Sequence, residues 1–83
     1  MNMKELCDIY NNDNRYKHKF LDKIAEMITN LDLYEKVLSL SLLADEDEEL
    51  YESYEVALML LVRSLGFKYD GNHIIYKDRE EEK

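Results

Sequence analysis

Apolar residues recur at helical spacing along most of the chain and switch to simple alternation only near its end. From Met3 to Tyr10, the positions Met3, Leu6, Cys7 and Tyr10 share one side of a 3.6-residue wheel, and the polar cluster Asn11, Asn12, Asp13, Asn14 then interrupts the pattern. This spacing predicts a short helix over 3–10 and a loop. A second helix is predicted over 15–30. Tyr16, Phe20, Leu21, Ile24, Met27, Ile28 and Leu31 fall on one arc, Arg15, Lys19, Asp22, Lys23 and Glu26 lie opposite, and Asp13 or Asn14 is placed to cap the start.

Asp32 and Glu35 have the spacing of a capping box, which opens a third segment over 32–44. Leu33, Val37, Leu40 and Ala44 share a helical face, yet Val37 to Leu42 also alternates as a strand would. The helical reading is adopted for 36–44, with strand as the alternative. Under either, a stretch whose only interruptions are Ser39 and Ser41 is expected to be buried centrally.

A fourth helix is predicted over 47–65. Leu50, Tyr54, Ala57, Leu58, Leu61 and Leu65 form its main stripe, and Gly66 stops it by supplying a left-handed residue. Val56, Met59 and Leu60 add apolar surface opposite that stripe. A helix that is apolar nearly all round requires cover on two sides, from the rest of the domain or from a second subunit, and these three residues are the candidate oligomer interface of a homodimer. Beyond Gly66 the period falls to two. Residues 67–69 and 73–77 read as a β-hairpin whose turn lies at Asp70-Gly71 or Gly71-Asn72, with Phe67, Tyr69, Ile74 and Tyr76 on one face. The expected fold is therefore mainly α, three to four helices with a C-terminal hairpin packed on them. A single domain over 1–77 is followed by a frayed, charged tail over 78–83.

Length limits what such a chain can do. Eighty-three residues bury only roughly 60–65% of their unfolded surface, so a second domain and a deep substrate cleft are both disfavoured. The longest apolar run, Val56 to Val62, ends at Arg63, whereas a membrane span needs about 20 residues. The N-terminus lacks the apolar core of a secretion signal, and Cys7, the single cysteine, cannot form an internal disulfide. A cytoplasmic setting follows as the expectation.

The chemistry-bearing residues give little to an enzyme. With glycine only at 66 and 71, neither a phosphate-cradling loop nor a nucleophile elbow can be written. Cys7 sits on an apolar helical stripe, where cysteine is usually a core residue. Asp45, Asp47 and Glu49 imitate the alternating ligands of an EF-hand loop, but Leu50 stands where that loop needs Gly and Val56 where it needs a bidentate Glu. Cys7, His18 and His73 lack paired zinc-ligand spacing. No catalytic residue, cofactor or metal site is assigned.

Charge changes the picture more. Nineteen acidic residues against 11 basic ones give a net charge of −8, which opposes binding to a phosphate backbone. Met1 to Ala44 carries 7 acidic and 6 basic residues, while Asp45 to Lys83 carries 12 and 5, so the excess lies almost wholly in the second half. Seven of the eleven residues from Asp45 to Glu55 are carboxylates. Asp45 with Glu48 could cap a helix start, and negative charge there is favoured by the macrodipole, but two or three carboxylates fill that role. The excess repels itself unless a cationic partner relieves it.

Asp45, Asp47, Glu48, Glu49, Tyr51, Glu52 and Glu55 are accordingly the candidate partner-binding residues, and the expected partner is a basic protein, such as one that binds nucleic acid. An acidic inhibitor or DNA mimic of a phage or mobile element has this character. Two alternatives remain. A winged-helix-like regulator, suggested only by element order, would use Lys68 and Lys77 of the hairpin with Arg15, Lys19 and Lys23. A structural homo-oligomer would use Val56, Met59 and Leu60.

Overall fold

The computed structural model describes residues 2–69 and 73–75. It is mainly helical. Helix α1 spans Met3–Asn12, α2 His18–Ile24, α3 Leu31–Glu46 and α4 Tyr51–Ser64, and strands β1 (Lys68–Tyr69) and β2 (Ile74–Ile75) form an antiparallel hairpin with Tyr69 opposite Ile74. The expected turn at 70–72, Tyr76, Lys77 and the tail over 78–83 lie outside the described residues.

Each boundary has a local cause. Asn2 caps α1 by accepting from the Glu5 N–H at 2.8 Å. The second helix begins three residues later than its periodicity suggests, because residues 13–17 satisfy their polar groups in a turn instead. Asn14 Oδ1 accepts from the Tyr16 N–H at 2.9 Å, the Lys17 N–H donates to the Asn14 carbonyl, and Lys17 itself is left-handed, with φ 55°. Its ammonium group donates to the Tyr10 carbonyl at 2.8 Å and stands 4.4 Å over the Tyr10 ring. Asp13 still caps α2, from a distance: its Oδ2 accepts from the Phe20 N–H at 2.7 Å. Beyond Ile24 the helix tightens into one 3₁₀ turn, Ala25–Met27, and stops, so Met27 is exposed rather than part of a long buried stripe.

The third segment is helix throughout, which resolves 36–44 against strand. Its cap is Asn30, whose Oδ1 accepts from the Leu33 N–H at 3.1 Å, and not the expected Asp32–Glu35 box. Central burial is also overturned. Only Val37, Ser41 and Ala44 are buried, while Leu42 is 68% and Leu43 51% exposed. The helix lies against α4 along one side and leaves its leucine-bearing flanks to solvent.

The end of α4 is a Schellman motif. The Gly66 N–H donates to the Arg63 carbonyl and the Phe67 N–H to the Val62 carbonyl, with Gly66 at φ 93°. Open space surrounds the position a Gly66 Cβ would take, so the requirement for glycine comes from the backbone angle alone. The chain then turns directly into the hairpin.

One contiguous core joins all four helices and the hairpin: Leu6, Tyr10, Phe20, Leu21, Ile24, Val37, Ala44, Tyr54, Leu61, Val62, Phe67 and Ile74 are all nearly inaccessible. Tyr10 meets Phe20 edge-on at a centroid distance of 4.8 Å. Burial disfavours the phenolate, so the Tyr10 and Tyr54 hydroxyls are held above the ordinary tyrosine range. The hairpin is tied to the opposite end of the sequence by Asn11, whose amide brackets one residue. Nδ2 donates to the Ile74 carbonyl and Oδ1 accepts from the Ile74 N–H, both at 3.1 Å. A side chain thus supplies the pairing a third strand would have made.

Candidate functional site

The acidic run is not one helix start. Helix α3 continues to Glu46, so Asp45 and Glu46 occupy its last turn, and the chain reverses at Asp47 before a 3₁₀ turn, Glu48–Leu50, that leads into α4. The capping residue is Asp47, which accepts from the Glu49 N–H at 3.0 Å, in place of the expected pair Asp45 and Glu48. Periodicity missed this break because Asp, Glu and Leu continue equally well in either helix.

The two sides of the reversal differ electrostatically. Glu48 and Glu49 stand at the start of a helical segment, where negative charge is favoured. Asp45 and Glu46 stand at the carbonyl end of α3, whose last turn contains no basic residue, and there negative charge is disfavoured. They are exposed, they repel each other and their neighbours, and no ion pair involving either occurs among the described residues.

The other candidate residues spread around the junction. Asp45, Asp47, Glu48, Glu49, Glu52 and Glu55 are all exposed, and Tyr51 is half-buried. Glu48 Oε1 pairs with Arg15 Nη1 at 3.0 Å. The same guanidinium lies 3.7 Å over the Tyr51 ring, and the Tyr51 hydroxyl points back to the Arg15 carbonyl at 3.4 Å. The hydrogen bonds to Glu48 and Tyr51 push the Arg15 pKa up. Tyr51 is therefore covered by its own chain and belongs to an aromatic cluster with Tyr16 and Tyr54. That cluster is anchored by backbone acceptors: the Tyr54 hydroxyl donates to the Tyr16 carbonyl and the Tyr16 hydroxyl to the Ala44 carbonyl. Together these contacts fix the reversal, with its carboxylates, against the loop before α2.

Glu49 and Glu52 face a different way. With Leu33, Lys36, Leu40, Val56 and Leu60 they line an open groove of about 580 Å³ between α3 and α4. Val56 and Leu60, expected at an oligomer interface, are about half exposed on its wall, whereas Met59 is half-buried and does not line it. The sequence reading missed Leu33, Lys36 and Leu40 as partners of Val56 and Leu60. The short α3–α4 connection was the available signal, since it makes the two helices antiparallel neighbours.

The basic cluster of the alternative reading is partly turned inward. Arg15 is held by Glu48 and Tyr51, whereas Lys19 and Lys23 are exposed; the neighbouring Lys17 donates to the Tyr10 carbonyl, and burial lowers its ammonium pKa while Asp13 opposes the shift. Cys7 is buried, and burial together with Asp8 pushes its thiol up, the reverse of what activates a nucleophile. Among the described residues no group of three or more His, Cys, Asp or Glu is placed to hold a metal ion, and no helix is long and apolar enough to cross a membrane. No known protein family, curated protein or solved structure matches the chain.

Proposed function

We propose that this is a cytoplasmic, non-enzymatic interaction protein that docks its acidic α3–α4 reversal on a basic surface of a partner protein. The observation that carries the reading is the placement of Asp45 and Glu46. Two carboxylates in the last turn of α3 oppose the helix dipole and gain no ion pair among the described residues. Folding favours lysine or arginine at those positions. Local rules broken without an internal compensation are characteristic of sites kept for a task other than folding. A cationic surface supplies what is missing, because it relieves the repulsion and screens the dipole in one contact.

A partner that binds nucleic acid offers such a surface, and the reversal would then occupy its phosphate site as acidic inhibitors and DNA mimics do. The supporting feature is rigidity. The Arg15–Glu48 pair and the tyrosine cluster hold the backbone of the reversal and the Glu48 carboxylate in place, which reduces the ordering cost at binding. The experiment is affinity capture from the native host with the wild-type chain and with Asp45→Lys/Glu46→Lys. A partner retained at low salt, released at high salt and lost in the variant supports docking. Equal capture by both chains refutes it.

A further inference from the structure

We propose that the groove between α3 and α4 is closed by a second copy of the same chain, packed antiparallel across a two-fold axis. This goes beyond docking through the reversal and uses a different face.

The groove has an apolar middle and oppositely charged ends. Leu40, Val56 and Leu60 form the middle, and Ala57 forms part of the floor. Because α3 and α4 are joined by a short reversal, the start of α3 lies beside the end of α4. Glu49 and Glu52 therefore mark the end next to the reversal, while Lys36 lies in the half away from it, with Leu33 lining the groove one turn beyond. Arg63 extends the basic end, since it falls on the same outward stripe of α4 as Val56 and Leu60, seven and three residues on. Neither Lys36 nor Arg63 forms an ion pair among the described residues, and the same is true of Glu49 and Glu52.

Two positive and two negative charges thus flank one apolar stripe, and this pattern is complementary to itself only in one orientation. A two-fold axis that crosses the helices reverses their direction, and so places Glu49 and Glu52 of each copy over Lys36 and Arg63 of the other. An axis along the helices would set acid against acid. Glu52 and Arg63 lie roughly 16 Å apart along α4 at 1.5 Å per residue. The midpoint between them falls among Val56, Ala57 and Leu60, so the crossing axis passes through the apolar middle and one rotation satisfies both contacts. A heterologous basic helix would meet Lys36 and Arg63 with like charge, which is why the second copy is the better occupant. The interface is isologous and closed, so association stops at the dimer. Asp45, Glu46 and Asp47 remain outside the groove lining, one set at each end of the dimer.

The test is sedimentation equilibrium of the full chain over a wide micromolar range, at low salt. A reversible monomer–dimer equilibrium is expected. Leu60→Glu should weaken it by roughly 30-fold or more, as expected for a central interface position, with unchanged circular dichroism because Leu60 is half exposed in the monomer. Single reversals Lys36→Glu and Glu52→Lys should each weaken dimerisation by roughly 10-fold, and the double variant Lys36→Glu/Glu52→Lys should recover most of the loss. Zero-length carbodiimide cross-linking of mixed isotope-labelled chains should join Lys36 to Glu49 or Glu52 of the second copy. A monomer at several hundred micromolar overturns the proposal, and so does a dimer in which the double reversal fails to rescue the single ones.

Discussion

Reversal of charge at Asp45 and Glu46 should make the protein more stable while removing its proposed activity. Both residues sit in the last turn of α3, where each negative charge costs about 0.3–1 kcal/mol at low ionic strength and each positive charge gains a similar amount. Because both side chains are exposed and share one helix end, the sum is discounted, and Asp45→Lys/Glu46→Lys is expected to gain roughly 1–2 kcal/mol. For a domain of this size that is a rise in melting temperature of about 4–8 °C per kcal/mol. Lysine is also a better helix former than aspartate, so Asp45→Gln/Glu46→Gln serves as the control that removes charge at similar propensity. Thermal melts followed by circular dichroism, at low salt and at 1 M salt, separate the contributions. The lysine variant should exceed the glutamine variant at low salt, and the gap should close at 1 M, where the screening length falls to about 3 Å. A melting temperature that falls, or a gap that salt leaves intact, would show that these carboxylates oppose nothing in the fold and would refute docking as the reason for their placement.

Asp47 should behave oppositely to its neighbours: Asp47→Ala removes the acceptor for the Glu49 N–H and is expected to cost about 1 kcal/mol in a urea titration. Asn11→Ala deletes both hydrogen bonds to Ile74 and is expected to cost roughly 1–3 kcal/mol, with faster hydrogen exchange at the Ile74 amide than at Leu61. Gly66→Ala should destabilise by about 1–2 kcal/mol through its positive φ, since its surroundings leave room for the methyl group, and a loss near zero would contradict that cause. In alkali, the Tyr10 and Tyr54 phenols are raised in the fold and ordinary when unfolded, so the stability they contribute is complete below about pH 10 and is lost as pH rises beyond it. Phenolate absorbance should therefore rise together with the loss of helical signal, and Tyr54→Phe should shift that transition to higher pH even as it lowers stability near neutrality through the lost bond to the Tyr16 carbonyl.

The legible parts of this fold were those in which one residue type has one use. Leu6, Tyr10, Phe20, Leu61 and the Gly66 stop were all read from spacing, because apolar periodicity and positive φ leave few alternatives. Residues with several uses misled. Asn14 and Asp13 pair with their own backbone, which delays α2, and the leucines of α3 have identical periodicity whether a neighbour covers them or water does. The seven carboxylates were identified, but their division between two helix ends was not, since a charge run carries no mark of where one helix stops. Arg15 was read as part of a solvated helix face. Its partners Glu48 and Tyr51 lie more than thirty residues away, and nothing local announces them.

The bracket that Asn11 places on Ile74 also bears on the order in which the chain acquires its structure. The two residues are 63 positions apart, and closing a loop of that length costs about 3–4 kcal/mol in chain entropy before any contact between them contributes. Helices α3 and α4, joined by a reversal of a few residues, meet no such barrier. Contacts between α1 and the hairpin should therefore form on the native side of the folding barrier. Weakening them would hasten unfolding and leave the folding rate nearly unchanged, so these contacts, the Asn11 amide among them, set the lifetime of the native state more than the speed of reaching it.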